Sequence, residues 1–427
     1  MKKYLLLLLM IFSSTIIFSQ PQKCYTDPAH QYYSGASSMQ NEIYRKNEAA
    51  VQSWIAAHRN DVQRTGSVVT IPVVFHIVYK NATQDIADSN IYRQVAVLNE
   101  CFRLQNSNFN QTRPIFDTIA ADVEIEFCLA NVDPSGAPTT GITRTQAAAG
   151  TFFDPLLGMD NVKSDAAGGK SPWPNDQYLN IWVCDMSIFG LTVVLGYATF
   201  PGGDPLVDGV VMQYQFVGFM NNPTTNDQGK TTVHEVGHWL GLRHIWGDGQ
   251  LSTPLCDSTD HVDDTPNADV ASQQTCDIKN TCSNESAYWV QAGIDPPDMV
   301  ENYMDYSYDD CMTMFTEGQK TRMLGFLNTT RASLLTSPGC NPLGLAENTA
   351  YNFSVAPNPV SDNISITTNY AGNFDLLLFD VTGRLITKIN WLQNSVDVDM
   401  RGISSGILIY EIRGNNTIIN KGKLVKL

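Results

Sequence analysis

The sequence predicts an α+β domain followed by a small all-β sandwich. Three observations carry that prediction. Apolar, β-branched runs interleave with one amphipathic helical stretch through residues 67–217. A histidine-rich segment, "TTVHEVGHWLGLRH" (231–244), then has helical spacing. After Cys340 the composition changes to short apolar runs separated by turn residues. At 427 residues the chain is too long for one ordinary core, so more than one folded unit is expected.

In chain order, "MKKYLLLLLMIFSSTIIFSQ" has two lysines, an apolar run and small residues, the pattern of a secretory signal peptide over 1–19 with cleavage after Ser19. The run is short for a membrane span, and no later segment is long and apolar enough to be one, so the mature protein is expected to be soluble and extracytoplasmic. Residues 20–64 are polar, with weak helical periodicity and no expected strand. "SVVTIPVVFHIVYK" (67–80) reads as a buried strand. In the next stretch Ile91, Val95, Leu98 and Phe102 fall three to four apart, as on an amphipathic helix. "VEIEFCLA" (123–130), "YLNIWVCDM" (178–186) and "DGVVMQYQFV" (208–217) read as further strands, and 131–177 and 247–300 as loops. Residues 341–350 form a linker, and 351–427 a sandwich of about seven strands.

Lys and Arg number 27 against 43 Asp and Glu, a net charge of −16 that argues against nucleic acid as a partner. Residues 351–427 hold six acidic and seven basic residues, so the negative charge belongs to the rest of the chain. The nine cysteines are Cys24, Cys101, Cys128, Cys184, Cys256, Cys276, Cys282, Cys311 and Cys340. In an oxidising compartment the cluster between 256 and 311 reads as disulfides, and an odd total leaves at least one thiol over.

His234 and His238, four apart on a helix, put two imidazoles on one face within reach of one ion. Glu235 projects beside them, where it can take a proton from water and pass it to a leaving amine. Gly241, one turn after His238, lets the helix end in a left-handed conformation, so that His244 returns as a third ligand. Three imidazoles leave a fourth tetrahedral position open to water, which is what separates a catalytic zinc site from a structural one.

With a methionine turn downstream, "ENYMDYSYDDCMTMFTEGQ" (301–319), the segment "HEVGHWLGLRH" resembles the metzincin metalloproteases. Adding "DDTP" (263–266), the chain resembles the pappalysin family, and more narrowly its bacterial, cytophagalysin-like branch. The resemblance covers roughly 65–340. It implies a two-lobed catalytic domain with a twisted sheet, a long active-site helix and an irregular lower lobe. It also implies Met304 beneath the zinc, Tyr306 as a partner for the oxyanion, and Asp310, with Asp309 adjacent, at the base of a pocket selecting Arg or Lys after the scissile bond. It further implies disulfides Cys256–Cys282 and Cys276–Cys311, and calcium near Asp263, Asp264 and Thr265, a loop that a solvated acidic surface explains equally.

Cys24 in "QKCYTDP" offers a thiolate for the water's position, resembling the cysteine switch of related zymogens, with 20–64 as the pro-segment and Arg59 or Arg64 as a self-processing point. An ordinary disulfide or free thiol is the alternative. The tail resembles the C-terminal sorting domain of the type IX secretion system, in "APNPVSDNISI", "LFDVTGRLI" and "KGKLVKL", which implies outer-membrane secretion machinery as a partner. The expected function is a secreted, latent zinc endopeptidase acting on extracellular proteins. From another class, a non-catalytic zinc-containing surface adhesin would not need Glu235.

Overall fold

The computed structural model describes residues 21–35, 38–58, 68–218, 226, 228–247, 255–273, 275–283, 285–340, 353–368, 373–380, 384–392, 394–414 and 417–427. The expected signal peptide, the linker 341–350, Arg59 and Arg64 lie outside them. The chain divides into two compact units, Met1–Cys340 and Asn341–Leu427.

The first unit is built on a seven-stranded sheet. Its strands are β1 (Gln22–Cys24), β2 (Val69–Tyr79), β3 (Ile125–Leu129), β4 (Ile142–Gln146), β5 (Leu179–Cys184), β6 (Val194–Ala198) and β7 (Val210–Gln213). The spatial order is β1-β6-β7-β5-β2-β3, with β4 continuing along β2 beyond β3. Pairing is parallel except between β6 and β7. β2 is an interior strand, paired on both sides and buried on both faces, which is why it reads as an unbroken apolar run. Phe75 and Ile77 face a large core shared with Ile91, Leu98 and Phe102 of helix α3 (Asp88–Phe102) and Val233, Val236 and Trp239 of helix α4 (Lys230–Trp239). Val78 joins a second cluster on the other face with Trp182, Tyr197 and Val211.

Three strands of this sheet arise where none was expected. β1 lies in the polar N-terminal segment and forms only by pairing with the edge strand β6, so three residues of local sequence carry no signal for it. β4 lies inside the supposed loop 131–177, its residues partly exposed and lacking alternation. β6 itself, "VLGYA", is fully buried and was not singled out. The active-site helix is shorter than expected, ten residues between Gly229 (φ +76°) and Gly241 (φ +92°), because left-handed backbone stops it at both ends.

Helices α1 (Thr26–Gly35) and α2 (Ser38–His58) precede β2, and α5 (Glu317–Asn328) follows the methionine turn. A reciprocal Thr316–Gln319 capping box starts α5, and Arg322 in it donates to the Gly241 carbonyl and pairs bidentately with Glu48 of α2. Between α4 and α5 regular structure is sparse. Cys256–Cys282 and Cys276–Cys311 are bonded there, and bridges closing loops of this size contribute about 3 kcal/mol each. Cys128–Cys340 ties β3 to the end of the unit, while Cys24, Cys101 and Cys184 are free and buried.

The second unit has a three-stranded antiparallel sheet, β8 (Phe353–Ala356), β9 (Asn363–Thr368) and β12 (Ser395–Asp399), in the order β8-β9-β12. A four-stranded sheet holds β10 (Phe374–Asp380), β11 (Leu385–Trp391), β13 (Gly406–Gly414) and β14 (Thr417–Lys426), in the order β11-β10-β13-β14. Ile364, Ile366 and Val398 from one sheet and Leu376, Leu378 and Ile412 from the other share one core.

Candidate active site

α4 is buried along its whole length, so its polar side chains are held rather than solvated. His234 Nδ1 meets the Tyr303 carbonyl at 2.7 Å and His238 Nδ1 the Leu242 carbonyl at 2.8 Å. Those acceptors place the ring protons on Nδ1 and leave Nε2 as a bare lone pair. His244 Nδ1 meets the Asp27 carboxylate at 2.8 Å. The three Nε2 atoms converge, His238 lying 3.1 Å from both His234 and His244. Three buried lone pairs this close repel unless a cation sits among them, so the donor set fits a metal ion. The Cys24 sulfur completes the group, with all four ligand atoms within 4.8 Å of one another.

Glu235 is fully buried beside this cluster. Its Oε2 accepts from the Thr26 hydroxyl at 2.8 Å and lies 3.4 Å from the Cys24 sulfur, while Oε1 has no partner. Burial raises its carboxyl to about 8, against the Cys24 and Thr26 hydrogen bonds. Burial and the Glu235 charge likewise hold the Cys24 thiol above its usual range.

Met304 is buried beneath the helix, where a Cβ on Gly237 would meet its sulfur at 2.5 Å, so the fourth residue of the "HEVGH" motif must be small for the turn to seat. Gly196 plays the same part above: a Cβ there would stand 2.9 Å from Glu235 Cγ. The Tyr306 ring packs edge-on to His244 and Trp246, and its hydroxyl donates to the Cys24 carbonyl at 3.1 Å.

The N-terminal segment fills this cleft. It adds β1 to the free edge of β6 and then presents Lys23, Cys24, Thr26 and Asp27 in turn to Asp309, the histidines, Glu235 and His244. Of these only Cys24 stood out from the sequence. Lys23, Thr26 and Asp27 have no motif of their own, although all share the "QKCYTDP" stretch.

One expected placement changes. Asp310 is exposed and bonds the Gln228 side chain; Asp309 is the fully buried carboxylate. The chain turns through 308–311, where Cys311 N–H returns to the Tyr308 carbonyl, so neighbouring carboxylates diverge. In the loop expected to hold calcium the side chains have other partners. Asp264 spends both oxygens on Thr316 and the Gly318 N–H at the start of α5, the Thr265 hydroxyl donates to Asp260, and Asp263 is exposed.

Comparison with known proteins agrees with this geometry. Residues 161–328 match the pregnancy-associated plasma protein-A peptidase family, and 354–426 the secretion system C-terminal sorting domain. An extracellular metalloprotease of Sordaria macrospora is 29% identical over 325 residues, covering 74% of this chain and 90% of that protein. One from Arthroderma gypseum is 31% identical over 262 residues, covering 60% and 72%. Among solved structures, a Tannerella forsythia promirolysin variant aligns with a TM-score of 0.57 and 38% identity, over 70% of this chain and 96% of that one. Mature mirolysin with a cleaved peptide aligns at 0.56 and 40%, over 64% and 97%.

Fold and site together define a metalloprotease, secreted or held at the cell surface, and not a binding-only adhesin. The chain belongs to the pregnancy-associated plasma protein-A family of metallopeptidases, with a sorting tail that implies export through a secretion system. No helix among the described residues is long and apolar enough to cross a membrane.

Proposed function

We propose that the protein is a zinc endopeptidase made as a latent precursor, which cleaves extracellular proteins before basic residues. The convergence of three Nε2 lone pairs, each with its Nδ1 already committed, carries this reading. His234, His238 and His244 hold the ion. When bound, zinc supplies Lewis-acid polarisation of the scissile carbonyl and lowers the pKa of water. Glu235, with Oε1 unpartnered, takes a proton from the attacking water and delivers it to the departing amine. Tyr306, which donates here to the Cys24 carbonyl, donates to the substrate's oxyanion in the same way. Met304 packs as the floor and does not react.

Latency follows from residues 20–64 acting as a pro-segment. Cys24 stands where water must enter, and a cation among the imidazoles offsets the burial that otherwise opposes its thiolate. Thr26 engages the general base, and Tyr306 is engaged by the same backbone. Asp309 supplies the negative charge for a basic residue after the scissile bond. After export, the tail is removed or anchors the enzyme at the surface.

Mature protein should carry about one zinc per chain by elemental analysis and digest casein, an activity lost to a chelator and restored by zinc. A mass-spectrometric cleavage profile of a complex peptide mixture should show Lys or Arg at the new N-termini. Products without that bias would sink the specificity, and zinc-loaded protein with no proteolysis would sink the whole reading.

A further inference from the structure

We infer that a second substrate pocket lies at the edge of the sheet, on the face away from the active-site helix, and takes a tyrosine that precedes the scissile bond. The inference rests on the reading of the chain as a protease that loses residues 20–64, and it adds a substrate feature to that reading. Tyr33 of α1 is the guest that marks the pocket. Its hydroxyl donates to Asp160 Oδ1 at 2.6 Å and accepts from the Lys163 ammonium at 3.3 Å. Its ring packs on the buried cluster that holds Trp182 and Tyr197.

None of the receiving groups belongs to α1. Lys163 is 3% exposed, and its ammonium also donates to the Val207 carbonyl at 2.8 Å and pairs with Asp160 Oδ1 at 3.1 Å. The rings of Trp182 and Tyr197 flank it, with centroids at 5.5 and 5.0 Å. Trp182 is held on β5 by its indole N–H, which donates to the Lys170 carbonyl at 2.7 Å. Asp160 has left-handed backbone, φ +67°, and immediately precedes the short helical turn Asn161–Lys163, so both charges sit on one turn. Once α1 leaves, the ammonium lacks one of its three acceptors and the carboxylate lacks a donor, beside an uncovered aromatic surface. A phenol answers all three: an O–H for the carboxylate, a lone pair for the ammonium and a ring for the wall. Phenylalanine supplies only the ring, and serine or threonine only the hydroxyl.

Chain direction assigns the side. Lys23 meets Asp309, Cys24 the histidines, and Thr26 accepts from the Ala198 N–H farther along β6, so α1 continues away from Asp309. With Asp309 serving the residue after the cut, Tyr33 stands on the side of the residues before it.

Zinc-loaded mature enzyme should be assayed on peptides with Lys or Arg after the scissile bond and Tyr, Phe or Ala at each preceding position in turn. At one position kcat/KM for Tyr should exceed that for Phe by about tenfold, the share of one charge-assisted hydrogen bond. Asp160→Gly removes the carboxylate from a backbone that glycine adopts freely, and should bring that ratio to about one with zinc content unchanged. Asp160→Asn, which also tolerates left-handed backbone and keeps a neutral acceptor, should leave it at about threefold. A Tyr-to-Phe ratio near one at every position, or one that neither substitution lowers, overturns the tyrosine pocket and leaves the protease reading standing. Zinc-loaded protein that cleaves none of the peptides overturns the protease reading, and the pocket with it.

Discussion

Among the described residues, every buried charged or polar side chain lies in the first unit, from Lys23 to Arg331. The core of the second, from Val360 to Leu424, is apolar throughout. The first unit holds three disulfides and three buried free thiols, the second no cysteine. The difference follows from task. A protease must keep a carboxylate, imidazoles and a charged pocket away from water, and each buried polar group demands a partner. The second unit buries no such group among its described residues, and alternation across two sheets suffices for its core.

The comparison can be broken at its most chemical point first. Glu235→Ala should lower proteolysis by about 10²–10⁴-fold while the zinc remains bound, read from casein hydrolysis and elemental analysis on one preparation. Unchanged proteolysis would remove Glu235 from the mechanism. Next comes a purely structural charge. Arg331 makes two 2.8 Å bonds to Asp208, and its guanidinium lies 3.8 Å from the Trp239 ring centroid in the active-site helix. Arg331→Ala strands the buried Asp208 and should destabilise the first unit by about 3–5 kcal/mol in denaturant unfolding, leaving the second unit's transition in place.

In the second unit the corresponding insult is a cavity. Leu376 is fully buried, and Leu376→Ala should cost that unit about 2–5 kcal/mol without altering casein hydrolysis by mature enzyme. A shift in proteolysis would contradict the separation of tasks. The last effect appears only as pH falls. Burial pushes His76 down to about 4, with Thr143 and Asn180 on its two nitrogens. Its folded pKa lies below the unfolded value near 6.5, so the unfolded chain binds the extra proton between those values. The stabilisation is present above about pH 6.5 and is lost as pH falls towards 4, on the order of 3 kcal/mol in all. His76→Gln should flatten that slope in first-unit unfolding. The second unit has no histidine and should show none of it.

Much of this was legible from residue order. The interval from His234 to His244 spells a helix, a left-handed stop and a returning histidine, all local consequences of spacing and of glycine. β2, α3, β5 and the alternating runs of the tail were equally readable, because burial on one or both faces stamps a period on the sequence. β1 was not, since its pairing partner lies 172 residues away by register, Gln22 on Val194. Asp309 and Asp310 could not be told apart, because one residue of rotation in a turn decides which carboxylate is buried.

The sequence by itself pointed to the chemistry: histidines and a glutamate at metalloprotease spacing, and a tail that resembles a sorting domain. Those are properties of side chains at short, fixed separations. Tertiary structure alone decided what fills the cleft and which acid faces Lys23. Lys23, Thr26 and Asp27 reach Asp309, Glu235 and His244 across more than two hundred residues, and only the closing of the sheet edge by β1 brings them there.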